Sequence, residues 1–154
     1  TWTAWELICK AMEFFQKNKP EIIAHEFSFA SDGLGYGGTI DMVCQLNGQV
    51  WLIDYKSGNA VYESHFLQIA ADAKAWNLLN PQHKVERAGI LHLKALTRGE
   101  DKKGEVIQGK GWKLEESENI DNDFEYFQYC QKLWHRANPG AKPKIQEYPL
   151  TFKK

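Results

Sequence analysis

The chain begins with two different spacings of apolar residues, which predict one helix and then three strands. In residues 3–18 apolar side chains recur every three or four positions, as in an amphipathic helix, and Pro20 ends this pattern. In residues 21–30 apolar and polar side chains alternate, which predicts a strand. A glycine-rich loop follows, and then two further strand-like segments at residues 39–46 and 49–56.

The rest of the chain predicts a second helix, two more strands and a last helix. Residues 63–80 are rich in alanine, which favours close packing of this helix on a sheet. Residues 87–95 and 111–116 predict strands joined by a polar connection at 97–110, and residues 121–137 predict the last helix. Because 154 residues fit one domain, we expect a single α/β domain in which a mixed sheet is flanked by helices.

Asn47 and Gly48 give the strongest turn signal in the chain, since an Asn-Gly pair between apolar segments favours a two-residue hairpin loop. Counting outward from this turn pairs Asp41 with Asp54, and their Cβ atoms are expected to lie roughly 4.5–5.5 Å apart. Two like charges at that distance destabilise a sheet unless a proton or a cation lies between them. Alternation places Lys56 on the same face as Asp54. One end of the hairpin is therefore predicted to carry two carboxylates and an ammonium group.

Away from these charges, both faces of the hairpin are predicted to be apolar. One face is expected to consist of Ile40, Met42, Cys44, Trp51, Ile53 and Tyr55. The face with the acids also carries Val43 and Leu52. The hairpin is therefore predicted to be central in the sheet and covered on both sides.

Charge and cysteine content narrow the classes of function. The net charge of -1 argues against a uniformly basic nucleic-acid-binding surface, so a DNA partner would need a local basic patch. Cys9, Cys44 and Cys130 lie far apart without a C-x-x-C motif, so no disulfide framework, zinc site or iron–sulfur cluster is expected, and a reducing compartment is favoured. No apolar run approaches the roughly 18 residues of a membrane span, so no membrane partner is expected. Thr1, not Met, begins the chain inside a helical pattern, which is compatible with native residues before it.

Two short motifs resemble those of a known nuclease superfamily. Gly38 and Asp41 have the spacing G-x-x-D, and after twelve residues Asp54 and Lys56 have the spacing D-x-K. Placed opposite each other by the hairpin, these motifs resemble the PD-(D/E)XK nuclease superfamily, in particular its RecB-like exonuclease branch of the phage or mitochondrial genome-maintenance type. The resemblance covers residues 26–76 and implies a restriction-endonuclease-like core, with a three-strand meander, a helix and further strands.

The resemblance also implies an activity and a cofactor. It assigns a divalent metal to Asp41, Asp54 and the backbone carbonyl of Tyr55, and these oxygen ligands suit Mg²⁺ or Mn²⁺. It makes Lys56 the residue that orients or deprotonates a water molecule or stabilises the transition state. The implied protein is a metal-dependent deoxyribonuclease, more similar to an exonuclease acting on single strands or DNA ends than to an endonuclease.

Three further residues are candidates for the same site. Glu26 is either an additional metal ligand or an exposed strand glutamate. Gln68 matches the glutamine of the RecB-branch Q-x-x-x-Y motif, where it would contact the site or a bound phosphate, but Asp72 stands at the tyrosine position, and a solvent-facing Gln68 is the alternative. Ser57, directly after Lys56, is a further substrate-binding candidate. The five histidines show no metal-ligand spacing and are interpreted as surface or packing residues.

A basic cluster around the 97–110 connection is either a DNA contact or a solvated loop. Its members are Lys94, Arg98, Lys102, Lys103, Lys110 and Lys113. Trp112, Trp134 and Tyr62 are candidates for stacking on single-stranded bases, with a core position as the alternative.

Other functions remain open at this stage. The acids and Lys56 could form an ion-pair cluster at the end of a sheet. The chain could also be a catalytically silent module for nucleic-acid binding or assembly, or an endonuclease of the same superfamily. A nuclease of this kind would act in DNA repair or recombination, beside a recombination or replication protein. It would work in the cytoplasm, in the host cytoplasm if phage-encoded, or in mitochondria.

Overall fold

The structure, a computed structural model, describes residues 2–94, 98–100, 106–108 and 111–141. Three helices lie at α1 Trp2–Asn18, α2 Glu63–Leu79 and α3 Ile120–Ala137. Seven strands lie at β1 Glu21–Ser31, β2 Tyr36–Leu46, β3 Gln49–Lys56, β4 Arg87–His92, β5 Arg98–Glu100, β6 Val106–Gln108 and β7 Lys113–Glu116. The predicted order of a helix, three strands, a helix, two strands and a helix is confirmed, with the short β5–β6 hairpin added inside the predicted polar connection.

The main sheet is mixed and has the strand order β1-β2-β3-β4-β7. Only the β3–β4 pair within it is parallel, and α2 is the connection between these two strands. The predicted α/β class, with a mixed sheet flanked by helices, is therefore confirmed, and the β2–β3 hairpin is central as predicted. Within the described ranges, no helix combines the length and the apolarity that a membrane crossing requires.

Two apolar layers cover the two faces of this sheet. The layer under α1 contains Phe14, Met42, Cys44, Leu46, Trp51, Ile53, Leu91, Leu93 and Trp112. The layer under α2 contains Ile40, Val43, Leu52, Ile69, Ala73, Trp76, Val85, Ala88 and Ile90. The alanines of α2 are fully buried, as expected for a helix that approaches a sheet closely. Trp112 packs edge-on against Phe14 in the α1 layer, so of its two predicted roles the core position is the observed one.

Some element bounds differ from prediction for identifiable reasons. β2 begins at Tyr36 instead of residue 39, because Tyr36, Gly37 and Gly38 continue the antiparallel pairing with the end of β1. β4 ends at His92 instead of residue 95, and the next amide, that of Leu93, donates to the carbonyl of Lys56. The last predicted residue of β4, Ala95, and most of the basic connection lie outside the described residues.

The predicted apolar face of the hairpin is wrong at one position. Met42 packs in the α1 layer, as predicted, but Ile40 packs in the α2 layer although the two are two residues apart. On the neighbouring strand, His25 pairs with Met42 and Phe27 pairs with Ile40, and Glu26 between them has a φ of 48°. A left-handed residue breaks the regular alternation of side chains, so the strand pair exchanges faces at this point.

Candidate active site

The β2–β3 hairpin forms around the predicted turn. Asn47 and Gly48 have φ values of 53° and 82°, the left-handed pair that a type I′ turn requires. The five predicted pairs from Leu46–Gln49 to Met42–Ile53 are all present. The sixth predicted pair, Asp41 with Asp54, is not part of the ladder, which ends one residue earlier. The regular sheet therefore stops at the acids.

Asp41 interrupts the ladder with its own side chain. Its Oδ2 accepts the backbone N–H of Tyr55 at 2.8 Å, so a carboxylate oxygen takes the place that a strand carbonyl would otherwise hold. This hydrogen bond fixes the Asp41 side chain against β3 and leaves Oδ1 for another partner. After burial, the negative charge of Asp41 also raises the pKa of Asp54, so the two acids lie within electrostatic range of each other although they are not a ladder pair.

Asp54 is the buried centre of the cluster, with only 4% of its surface exposed. Burial is the main cause that raises its pKa, and the ammonium group of Lys56 acts in the opposite direction. Asp54 Oδ2 lies 2.8 Å from Lys56 Nζ, an ion-pair distance, yet this buried oxygen accepts no hydrogen bond of satisfactory geometry. Burying an ionised carboxylate is costly, and the ion pair with Lys56 offsets part of that cost, as a bound metal ion also would.

Gln68 joins the acid to the lysine from helix α2. Its Nε2 donates to Asp54 Oδ1 at 3.3 Å, and its Oε1 accepts from Lys56 Nζ at 3.2 Å. At the start of α2, the N–H of Tyr62 donates to His65 Nδ1 and the N–H of His65 donates to the carbonyl of Tyr62. The structure thus brings Gln68 to Asp54 and Lys56, and its amide sets the position of the ammonium group.

Asp72 is a third acid at this site that the sequence reasoning identified only as a departure from a motif. The residue is 7% exposed, and burial raises its pKa to about 7, with further contributions from the charges of Asp54 and Asp41. A Cβ atom on Gly38 would lie 3.2 Å from Asp72 Oδ1, so the absence of a side chain at Gly38 allows this approach. The spacing could have indicated that Asp72 lies near this site, because Gln68 and Asp72 are four residues apart and share a helix face.

No sequence pattern indicated that His65 lies near this site. Burial is the main cause that lowers its pKa, followed by the charge of Lys56, while Asp54 acts in the opposite direction. His65 therefore lies in the field of the cluster. His92 is buried too, and its Nε2 lies 2.9 Å from the carbonyl of Gly58, which attaches the loop after Lys56 to β4.

The other predicted residues lie away from these contacts. Glu26 is exposed, and its charge contributes to raising the pKa of Tyr55 to about 12, after burial and the charges of Asp41 and Cys44. The charge of Glu26 is not among the causes that shift the pKa of Asp54 or of Asp72. Ser57 is exposed at the end of β3. Tyr62 and Trp134 are exposed as well, at 61% and 53%, so both retain surface available for stacking.

Within the part of the chain that the structure describes, no group of three or more His, Cys, Asp or Glu side chains is arranged to hold a metal ion. The candidate metal ligands are therefore those that the resemblance implies, namely the carboxylates of Asp41 and Asp54 and the backbone carbonyl of Tyr55. All three donors are oxygens, which suits a hard divalent cation.

Comparisons with known proteins add no identification. No protein-family model matches the chain, and no curated protein matches it. The interpretation of the site therefore depends on its motifs and on the contacts described above.

Proposed function

We propose that the chain is a metal-dependent DNA nuclease of the PD-(D/E)XK superfamily and its RecB-like branch, with a restriction-endonuclease-like core. It would hydrolyse phosphodiester bonds, as an exonuclease on single strands or DNA ends. One observation carries the proposal, namely that the buried carboxyl of Asp54 forms an ion pair with Lys56 at 2.8 Å and lies within the electrostatic influence of a second acid, Asp41.

The donor set fits a divalent cation. Asp41 and Asp54 are two acids beside one ammonium group, that of Lys56, and burial followed by the charge of Asp41 raises the pKa of Asp54, so a bound cation would favour its ionised form. Asp41, Asp54 and the carbonyl of Tyr55 would hold the ion. When bound, Mg²⁺ or Mn²⁺ would neutralise charge on a phosphate and increase the acidity of a water molecule.

The residues of the chain position the other reacting groups. Lys56 is held between Asp54 and Gln68, so its ammonium group points to a defined place and can donate to a phosphate oxygen or orient a water molecule. Gln68 uses both ends of its amide to keep this arrangement. The element order supports the proposal too, since a helix, three strands, a helix and a strand that returns parallel to β3 agree with the core of the superfamily.

The test is cleavage of end-labelled single-stranded DNA in the presence of Mg²⁺ or Mn²⁺. We expect Asp54→Asn and Lys56→Ala each to reduce the rate at least about 100-fold, as for other groups that stabilise charge in a transition state. Lys17→Ala is the matched control, because Lys17 is an exposed lysine at the end of α1. Calorimetric titration with Mn²⁺ gives a second measurement, in which Asp54→Asn is expected to lose binding.

Two results would contradict this proposal. Cleavage that persists in Asp54→Asn and Lys56→Ala would assign the activity to another site. DNA binding without cleavage under any divalent ion would favour a silent binding module, an alternative supported because, among the described residues, no three His, Cys, Asp or Glu side chains are arranged to hold a metal ion. A covalently closed circular substrate separates the remaining cases, since an exonuclease leaves it intact and an endonuclease cuts it.

A further inference from the structure

A pocket of about 370 Å³ opens beside the acid cluster, between the start of β2 and the helices α2 and α3. It is lined by Tyr36, Gly37, Gly38, Thr39, Ser64, Leu67, Gln68, Ala71, Asp72, Phe127 and Cys130. Its volume is in the range of small-molecule binding sites. We refer to this cavity as the base pocket.

One wall of the base pocket is aromatic and fixed. The rings of Tyr36 and Phe127 meet edge to face with their centroids 5.0 Å apart. The Tyr36 hydroxyl donates to the carbonyl of Ala71 at 2.9 Å, which ties this ring to α2. Burial, followed by the charge of Asp72, raises the pKa of Tyr36 to about 12, so the hydroxyl stays protonated as a donor. The wall offers aromatic surface to a flat ligand without rearrangement.

Two polar side chains of the base pocket connect it to the acid cluster. Gln68 lines the pocket and also forms hydrogen bonds with Asp54 and Lys56. Asp72 is more than nine-tenths buried, lines the same pocket, and supplies carboxyl oxygens within it. The pocket therefore begins one side chain away from the place where a phosphate would be bound. In a nucleotide the base is one sugar away from its phosphate.

We propose that the base pocket binds one nucleobase of a single DNA strand, next to the phosphate at Lys56, and that Asp72 accepts a hydrogen bond from an exocyclic amino group of that base. This inference deepens the proposed nuclease function and rests on it. Carboxylates accept from base amino groups, and aromatic side chains bind the faces of unpaired bases. Adenine, cytosine and guanine carry such an amino group and thymine does not. When the Asp72 carboxyl is ionised it can only accept, and the pocket should then prefer these three bases to thymine.

The chain contains its own reporter for this pocket. Cys130 is exposed and lines it, whereas Cys9 is exposed on α1, which covers the other face of the sheet. The third cysteine, Cys44, is buried, and burial raises its pKa to about 11, so its thiol does not interfere. A base in the pocket would shield Cys130 and leave Cys9 accessible.

The experiment measures the rates at which N-ethylmaleimide alkylates Cys130 and Cys9 in the intact chain, by peptide mass spectrometry. It is done in EDTA, so that no cleavage occurs, with oligodeoxyadenylate, with oligothymidylate or without DNA. We expect oligodeoxyadenylate to slow Cys130 at least threefold and oligothymidylate to slow it less, while Cys9 is unchanged in all three samples. An unchanged Cys130 rate, or no binding of oligodeoxyadenylate, would overturn the proposal. Equal shielding by both oligonucleotides would overturn the role given to Asp72.

Matched variants separate the pocket from general DNA binding. Ser64 is exposed at the pocket, so Ser64→Trp would fill its mouth, and we expect about tenfold weaker binding of oligodeoxyadenylate, equivalent to one stacked base. Leu78→Trp adds the same ring to an exposed position at the far end of α2 and should bind like the unchanged chain. Asp72→Asn, which keeps the size of the side chain, should lose the preference for oligodeoxyadenylate. Unchanged binding in Ser64→Trp would overturn the pocket.

The outcomes distinguish this inference from the proposed function. Metal-dependent cleavage that is lost in Lys56→Ala, together with an unshielded Cys130, would overturn the base pocket and leave the nuclease assignment in place. If Cys130 is shielded but no divalent ion supports cleavage of DNA, the base pocket would stand and the nuclease assignment would be overturned.

Discussion

The two ends of the β2–β3 hairpin are made by the same two strands, but they satisfy their polar groups in different ways. At the turn end, five successive residue pairs form a regular ladder and the side chains are divided between two apolar layers. At the open end, the Asp41 side chain replaces a backbone acceptor, and a buried oxygen of Asp54 has no hydrogen bond. The comparison teaches that the regular end provides stability, and that the irregular end buries acids at a cost in stability which a bound cation can offset.

The largest expected effect tests the stability of the regular end. Ile53 is fully buried in the α1 layer, directly before Asp54, and Ile53→Ala should lower the free energy of unfolding by about 2–5 kcal/mol because it leaves a cavity. Urea denaturation measures this, and cleavage per folded molecule should be retained. Ile8→Ala, at a half-exposed position of α1, is the control and should cost less than about 0.5 kcal/mol. Loss of activity in Ile53→Ala without loss of stability would contradict the division between the two ends.

The next prediction tests how much the buried acids of the irregular end reduce stability. Burial raises the pKa of Asp72 from 3.8 to about 7, so between these pH values the folded chain holds a proton that the unfolded chain has released. Stability should therefore fall as the pH rises from 4 to 7, and Asp54, whose pKa is also raised, acts in the same direction.

Asp72→Asn should flatten this fall and raise the free energy of unfolding at pH 8 by about 2–4 kcal/mol relative to the unchanged chain. Asp32→Asn removes the same charge from an exposed loop and is the control. The measurement is a series of urea denaturation curves from pH 4 to pH 8. The same pH slope in Asp72→Asn and in the unchanged chain would show that Asp72 is not the buried acid described here.

The smallest effect concerns the turn that sets the hairpin register. Gly48 has a φ of 82°, so Gly48→Ala forces a side chain into the left-handed region and should cost about 1 kcal/mol. Gly33→Ala is the control, because a Cβ there meets no atom within 4 Å and its φ is not positive. Thermal unfolding of both variants measures the difference. A neutral Gly48→Ala would mean that the register is set by the apolar pairs and not by the turn.

The sequence allowed the regular end to be predicted because its signals are local. Asn47 and Gly48 define the turn, each later pair follows by counting, and the spacing of apolar residues gave the order of helices and strands. The irregular end was predicted in composition but not in geometry. Counting assumes that backbone groups pair with each other, and it cannot show that the Asp41 carboxylate competes for the N–H of Tyr55. Nor does a strand pattern reveal a glutamate with a φ of 48°, which moves Ile40 to the other layer.

Asp72 was missed for a different reason. Comparison with a motif treats the residue at the tyrosine position as a substitution, whereas the structure shows a buried acid whose surroundings come from three separate parts of the chain. One of those parts is α3, and no local pattern determines that Phe127 and Cys130 face the start of β2.

The close approach of Gly38 to Asp72 restricts the size of the residue that position 38 can hold. Any side chain at position 38 would press on the Asp72 carboxyl or on the ring of Phe29, which lies within 3.3 Å of the same point. A larger residue at position 38 would therefore require both the Asp72 carboxyl and the Phe29 ring to shift by a few tenths of an ångström. The cost of a larger residue at position 38 therefore depends on how far these two side chains can move.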